Sequence, residues 1–379
     1  MKFLPLILKN LLRKKIRTSL TILSIAVALF LFGLLVAINS AFTGGIEAAG
    51  ADRLVIRNKI SIIMPLPISY KERVLQINGV TADTYASWFG GVYQDPKNFF
   101  PQFAIDKITY LKMYPEYLLP KDQYEAFLAD RQGCIIGRTT ADRFGFKVGD
   151  RLPIRGTIFT GTWEFNIRGI FDGNRPEVDT TPMMFDYEYL SERVSFINGR
   201  VGWYIVKIGN PNDAEKVAKA IDQRFSNSNN ETITEPEKMF VAGWVKQMGN
   251  IRLLILSIGT VVFFTLMLVT GNTMAIAVRE RTGELAVLKT VGFTDEATLI
   301  IVLVESVAIA VIGGGIGIGL AKLFTLNGDP THGFLPFFFI SPVQMIVGLF
   351  VAALVGVVSG IIPAFLAMRL RIVDALRRV

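Results

Sequence analysis

Four stretches of the chain are almost wholly apolar over the ~20 residues needed to cross a bilayer. They lie at 19–41, 251–278, 297–321 and 342–368. The first and last hold no charge, the second none from Leu253 onward, and the third only Glu305. Between the first and second lies 42–250, where polar and apolar residues mix as in a water-exposed domain. Within it, 53–57, 134–137, 163–171 and 204–208 are rich in β-branched and aromatic residues and predict strands. A helix is predicted over 212–225. It follows Asn210-Pro211, and Ala214, Val217, Ala218, Ile221 and Phe225 recur at helical spacing. The polar run 226–231 predicts a loop, and 236–252 a helix continuing into the second stretch. The expected fold class is therefore an α-helical membrane protein with four transmembrane helices and an inserted extracytoplasmic α+β domain.

The remaining segments are short. In 1–18, Phe3, Leu4, Ile7, Leu8, Leu11, Leu12 and Ile16 interleave with basic residues, the pattern of an amphipathic elbow helix lying on a membrane surface. The others are 279–296, a loop at 322–341 and a tail at 369–379.

Composition agrees with this layout. Of 379 residues, 51% are hydrophobic and only 19% charged, against about 25% charged in soluble domains. Ample apolar surface excludes disorder. The net charge of +8 sits entirely in 1–18, 279–296 and 369–379, which hold 13 basic and five acidic residues. The positive-inside rule then predicts that these segments, and both termini, are cytoplasmic, with 42–250 and 322–341 outside. A basic excess beside membrane spans is explained by anionic lipid rather than by nucleic acid. A cleaved signal peptide ending near Ser40-Ala41 is the alternative reading of the first stretch, but its apolar run exceeds the 7–15 residues of such a segment.

The chemistry-bearing residues are few. Cys134 is the single cysteine and His332 the single histidine, which excludes a disulfide framework and disfavours a Cys/His metal site. No G-x-x-x-x-G-K-[ST] occurs, so the chain has no phosphate cradle for ATP and no catalytic site of its own is expected. Gly313, Gly315, Gly317 and Gly319, and again Gly356 and Gly360, have the four-residue spacing of close helix packing. Glu305 is an ionisable residue within a span, open to proton coupling or to a bundle-facing role hydrogen-bonded to Asn272 or Ser306. One embedded carboxyl and four spans are too few for an inverted-repeat transporter. Pro363 can bend the last span. Cys134 reads as a small buried hydrophobe, and Phe99, Phe100 and Trp163 as core aromatics.

The segment 279–292 reads Arg-Glu-Arg-Thr-Gly-Glu-Leu-Ala-Val-Leu-Lys-Thr-Val-Gly. As a helix it sets Leu285, Leu288 and Val291 near one face and pairs Arg281 with Glu284 at i,i+3 on another. It suits either a plain connector or a docking surface, with Glu280, Arg281 and Glu284 turned toward a soluble partner.

These features together resemble the FtsX-like permeases, the MacB-type ABC transporter membrane subunits. The resemblance rests on 10–21 (Asn-Leu-Leu-Arg-Lys-Lys-Ile-Arg-Thr-Ser-Leu-Thr), on 279–292, on Glu305 with the glycine run, and on 362–367 (Ile-Pro-Ala-Phe-Leu-Ala) with 374–377 (Asp-Ala-Leu-Arg). In the inserted domain it rests on 135–138 (Ile-Ile-Gly-Arg) and 144–150 (Phe-Gly-Phe-Lys-Val-Gly-Asp).

The resemblance implies a homodimeric permease of the bacterial inner membrane that works by mechanotransmission. ATP and Mg2+ would be bound by a partner ABC ATPase, here a separate chain, since only 1–18 precede the first span. It further implies an ATPase-docking helix bearing Glu280, Arg281, Glu284, Leu285, Leu288 and Lys289. A periplasmic adaptor and an outer-membrane channel complete such export systems. Related branches instead control a peptidoglycan hydrolase as a scaffold, or release lipoproteins.

Overall fold

The computed structural model describes residues 14–247, 251–326, 330, 335 and 337–370. Most of the elbow at 1–18, His332, the tail motif at 374–377 and the junction 248–250 expected to join the helix at 236–252 to the second span lie outside the described residues. The chain divides into two compact units: 1–40 with 250–328 and 338–379, and 41–249 with 329–337.

Four helices among the described residues are long and apolar enough to cross a membrane. They run Lys15–Ala48, Ile251–Glu280, Asp295–Leu326 and Pro342–Met368, and are called the first to fourth spans below. The first has 34 residues, about 50 Å at 1.5 Å per residue, longer than a hydrocarbon core of ~30 Å requires. The fourth begins at a capping box. Ser341 Oγ accepts from the Gln344 amide at 3.3 Å, Gln344 Oε1 accepts from the Ser341 amide at 2.8 Å, and Pro342 opens the helix. Pro363 lies within this helix and is buried.

The spans pack through small residues, as expected where lipid supplies no hydrophobic drive between helices. A Cβ on Gly313 would crowd the backbone of Ile22 in the first span, and one on Gly314 would meet Ala352 in the fourth. Ile25, Leu29, Leu266, Met274, Val302, Ile309 and Val355 close over these contacts as one buried cluster.

The inserted unit is built on one long mixed sheet. Thr232–Pro236, Arg53–Asn58, Trp203–Ile208, Val80–Trp88 and Gln102–Ile105 follow one another antiparallel. Met183–Asp186 then runs parallel to Gln102–Ile105 and antiparallel to Gly133–Gly137, which is parallel to Gly161–Gly173. Arg151–Gly156 and Gly91–Val92 complete that edge. Successive residues point to opposite faces. Cys134 and Ile136 therefore join one core with Leu54, Tyr204 and Phe185, while Ile135 joins another with Met184 and Ile205. The helices Tyr70–Leu75 and Ala214–Phe225 cover the first face, and Lys121–Ala129 covers the second with Phe127.

Cys134 is a fully buried, free thiol, and burial holds its ionisation well above the ordinary range. Phe100 and Trp163 are core residues, whereas Phe99 is half exposed and stacks on Trp88. The alternation in Arg151–Gly156, exposed and buried in turn, is a period-2 signal that the sequence carries in plain form.

At the start of the first sheet strand, Arg53 is buried in an ionic network. Its Nε donates to Glu237 Oε2 at 2.6 Å and its Nη2 to Glu116 Oε1 at 2.6 Å. The Gly50 amide and the Tyr114 hydroxyl also donate to the Glu237 carboxylate, at 2.9 and 2.7 Å. The segment leaving the first span and the helix Glu237–Gln247 are thereby pinned to one guanidinium.

Candidate functional site

A set of polar contacts between helices gathers at one end of the span unit, around the loop from Glu280 to Asp295. The second span stops at Glu280. Arg281 leaves helical geometry at φ −106°, ψ 14°, and a short helix, Thr282–Thr290, begins at once. That helix ends in a Schellman motif. Gly292 takes φ +107°, the Phe293 amide donates to Leu288 O and the Gly292 amide to Lys289 O, each at 3.1 Å. Gly292 is required here because the left-handed conformation costs any residue with a Cβ. Thr294 then caps the third span, its Oγ1 accepting from the Ala297 amide at 3.2 Å. Asp295 and Glu296 occupy the first turn, where negative charge suits the helix dipole.

Three charged residues of this loop reach the other three spans. Glu280 Oε2 accepts from Lys14 Nζ and from Arg17 Nη1 at the head of the first span, both at 2.6 Å. Arg281 Nη1 donates to Glu305 of the third span at 2.7 and 3.0 Å. Lys289 Nζ donates to the Met368 and Leu370 carbonyls at the end of the fourth span, at 2.6 and 3.1 Å, and pairs with Asp295 at 2.7 Å. The last carbonyls of a helix lack intrahelical partners, so the Lys289 ammonium serves as a C-terminal cap supplied from another helix. At the residue next to Glu305, Ser306 Oγ donates to Gly356 O at 2.8 Å and joins the third and fourth spans.

Glu305 faces the bundle, as one of the two sequence readings has it, but its partner is Arg281 and neither Asn272 nor Ser306. Asn272 is exposed on the second span and makes no hydrogen bond to it, and Ser306 bonds elsewhere. The break after Glu280 turns the Arg281 side chain inward, and an arginine is the stronger partner because its charge offsets that of the carboxylate. Glu305 is buried and the Arg281 side chain is 16% exposed. Glu284 approaches Arg281 Nε at 3.6 Å, an ionic contact too long for a hydrogen bond.

Of the six residues that the resemblance sets on a docking helix, Glu280, Arg281 and Lys289 are engaged with the spans. Leu285 is buried and Leu288 is half-buried against the same cluster. Glu284 keeps 42% of its side chain exposed. Val291 does not share the inward face with Leu285. It is 76% exposed, because the helix ends at Thr290 and the chain turns away, while the fully buried Ala286 takes the inner place. The exposed side of the loop carries Val287 and Val291 beside Glu284. Sequence reasoning missed Val287, and its signal was an apolar residue three positions after Glu284 on a helix otherwise anchored by its own charges.

The glycines also separate. Gly313 and Gly317 lie against the first span at Ile22, Ile25 and Ala26, and Gly356 and Gly360 against the third span at Val307 and Ser306. Among the described residues, Gly315 touches only Leu349, at 3.8 Å from a Cβ position, and Gly319 has nothing within 4 Å. Gly314, which the four-residue spacing leaves out, packs against Ala352. Among the described residues no group of His, Cys, Asp and Glu is arranged to hold a metal ion.

Comparison with known proteins gives two family matches. Residues 18–224 match the MacB-like periplasmic core domain and 256–372 the FtsX-like permease C-terminal domain. An uncharacterized ABC transporter permease of Methanocaldococcus jannaschii is 22% identical over 97% of this chain and 96% of its own length. The macrolide export ATP-binding/permease protein MacB of Campylobacter fetus is 35% identical over 28% of this chain, which is 16% of that protein. The uncharacterized ABC transporter permease YvrN of Bacillus subtilis is 34% identical over 28% of this chain and 25% of its own length. Among solved structures, the periplasmic region of MacB from Actinobacillus actinomycetemcomitans aligns with 52% of this chain and 93% of its own, at 13% identity and a TM-score of 0.37.

Proposed function

This chain belongs to the FtsX-like, MacB-type ABC transporter permeases, and we propose that it couples a partner ATPase to its extracytoplasmic domain by mechanotransmission. ATP and Mg2+ are bound and used on that partner. The partner docks on the loop Glu280–Asp295, and the resulting movement passes along the spans into the inserted domain. Both termini and this loop face the cytoplasm of the inner membrane, in keeping with the basic excess around them.

The observation that carries the reading is the triple tie of one short loop to the first, third and fourth spans through Glu280, Arg281 and Lys289. A surface connector needs no such anchorage. A lever does, because force applied to it must move helices rather than bend a loop. The docking face is Val287 and Val291 with Glu284 at its rim, the combination of apolar anchor and steering charge found at protein interfaces.

The working unit is a dimer of this chain. Asn272 supports it, since a polar side chain exposed on a span finds a partner on a second copy more readily than in lipid. In export, the extracytoplasmic domain acts with a periplasmic adaptor and an outer-membrane channel.

The test is co-purification. The tagged chain should retain an ABC ATPase and stimulate its turnover. Glu284→Lys and Val287→Asp should each reduce retention about tenfold or more, as loss of a central interface contact does, with membrane level and tryptophan fluorescence unchanged. Retention equal to the parent in both variants would overturn docking at this loop.

A further inference from the structure

A groove of about 880 Å3 opens between the head of the first span and the second span. Its mouth is basic and its body is apolar. Lys14, Lys15 and Arg17 stand at the mouth, and Leu20 and Val269 line the walls with Ile16 beside them. Lys14 and Arg17 share one carboxylate, Glu280, and Lys15 has no ion pair among the described residues. Three positive charges thus face one negative charge, a local balance of +2. Ile16 is 80% and Leu20 58% exposed, so among the described residues apolar surface lies open in the groove.

Of the three hydroxyls deeper in the groove, two are already committed and Ser24 is exposed. Thr21 Oγ1 donates to Arg17 O at 2.9 Å and Thr273 Oγ1 to Val269 O at 2.8 Å. The single Ser24 hydroxyl repays little of what a small polar solute loses with its water. An anion alone would satisfy the mouth and leave the walls bare. From Lys15 to Ser24 the groove follows nine residues of helix, about 13 Å at 1.5 Å per residue, enough for an acyl chain to lie along the walls while its head stays at the mouth.

We propose that this groove is a binding site for one anionic phospholipid, its phosphate on Lys15 and Lys14 and an acyl chain against Leu20 and Val269. A charge cluster beside a span attracts acidic lipid in general. The distinctive point is a cleft between two spans in which headgroup and chain are recognised together. A lipid held there also touches Arg17, the residue that ties the first span to Glu280.

The test uses the full chain in nanodiscs of equimolar phosphatidylglycerol and phosphatidylcholine, released for native mass spectrometry. The parent should retain phosphatidylglycerol preferentially. Lys15→Glu should lower that retention at least about fivefold, the factor one basic residue contributes near an anionic surface, and leave phosphatidylcholine unchanged. Thr273→Trp, which fills the cleft without altering charge, should lower it as well. Millimolar inorganic phosphate should not compete. A photoreactive side chain at Thr273 should yield a lipid adduct. Equal retention of both lipids, undiminished phosphatidylglycerol in both variants, displacement by phosphate, or photoadducts confined to a second copy or to residues 1–13 would each overturn the proposal.

Discussion

Arg281 Nη1 lies 2.7 and 3.0 Å from the two carboxylate oxygens of Glu305, a contact that spans 24 residues of sequence and closes the loop helix onto the third span. Both side chains are largely removed from solvent. Removing one partner of such a pair leaves an uncompensated charge and costs about 3–5 kcal/mol, far more than the pair itself contributes. Glu305→Ala and Arg281→Ala should therefore each lower the unfolding midpoint of the solubilised protein sharply. The double variant should lose less than the sum, by at least about 1 kcal/mol in a double-mutant cycle. Additive losses would show that the two residues act independently.

The packing glycines make a sharper prediction than their spacing does. A Cβ on Gly317 would sit inside 3.0 Å of Ala26 O and of the Phe30 amide, both backbone atoms that cannot rotate away. Gly317→Ala should lower thermal stability by about 1–3 kcal/mol, the range for overpacking. Gly319→Ala, which meets none of the described residues within 4 Å, should leave the monomer as stable as the parent. Melting curves by size-exclusion of heated detergent extracts read both. Equal losses would show that the first and third spans do not meet at Gly317.

Arg53 anchors two carboxylates at once. Arg53→Met leaves Glu116 and Glu237 without their cation, and Glu237 is buried. The expected cost is about 3–5 kcal/mol. All four tryptophans, Trp88, Trp163, Trp203 and Trp244, belong to the inserted domain, so their fluorescence in the intact chain follows this domain during urea unfolding. Glu237→Gln keeps the hydrogen-bonding shape and should cost less. A midpoint for Arg53→Met within error of the parent contradicts the network's role.

Asp83 sets a pH dependence in the same domain. Burial pushes its carboxyl from 3.8 up to about 6, against the pull of Lys71 and with the Asp106 charge adding to the rise. Tyr204 also faces it. Between those two pH values the folded state binds the proton more tightly than the unfolded chain. Its contribution to stability is full below 3.8, declines as pH rises toward 6, and is lost above. Asp83→Asn removes the titration. Above pH 6 the variant should exceed the parent by on the order of 2 kcal/mol, and near pH 4 the two should converge. Fluorescence-detected unfolding across this range measures the difference. Parallel stability profiles would mean that Asp83 ionises normally.

The hydropathy pattern alone determines four spans and an inserted domain, because each is a property of consecutive residues. Partition of ~20 apolar residues into lipid, or alternation along a strand, needs no knowledge of neighbours in space. Strands such as Arg53–Asn58 and Trp203–Ile208 were legible for that reason. So was the helix Ala214–Phe225, whose Val217, Ala218, Ile221 and Phe225 recur on its buried side.

What the charges do was decided only by the tertiary structure. Lys289 reaches a carbonyl 79 residues away, and Arg281 a carboxylate 24 residues away. Both contacts depend on how far each helix is rotated about its axis and on the single non-helical residue between Glu280 and Thr282. The same holds for Gly317 and Gly319. They are alike in sequence spacing, and two residues place them about 200° apart around the helix. One therefore meets the first span at backbone distance, and the other meets none of the described residues.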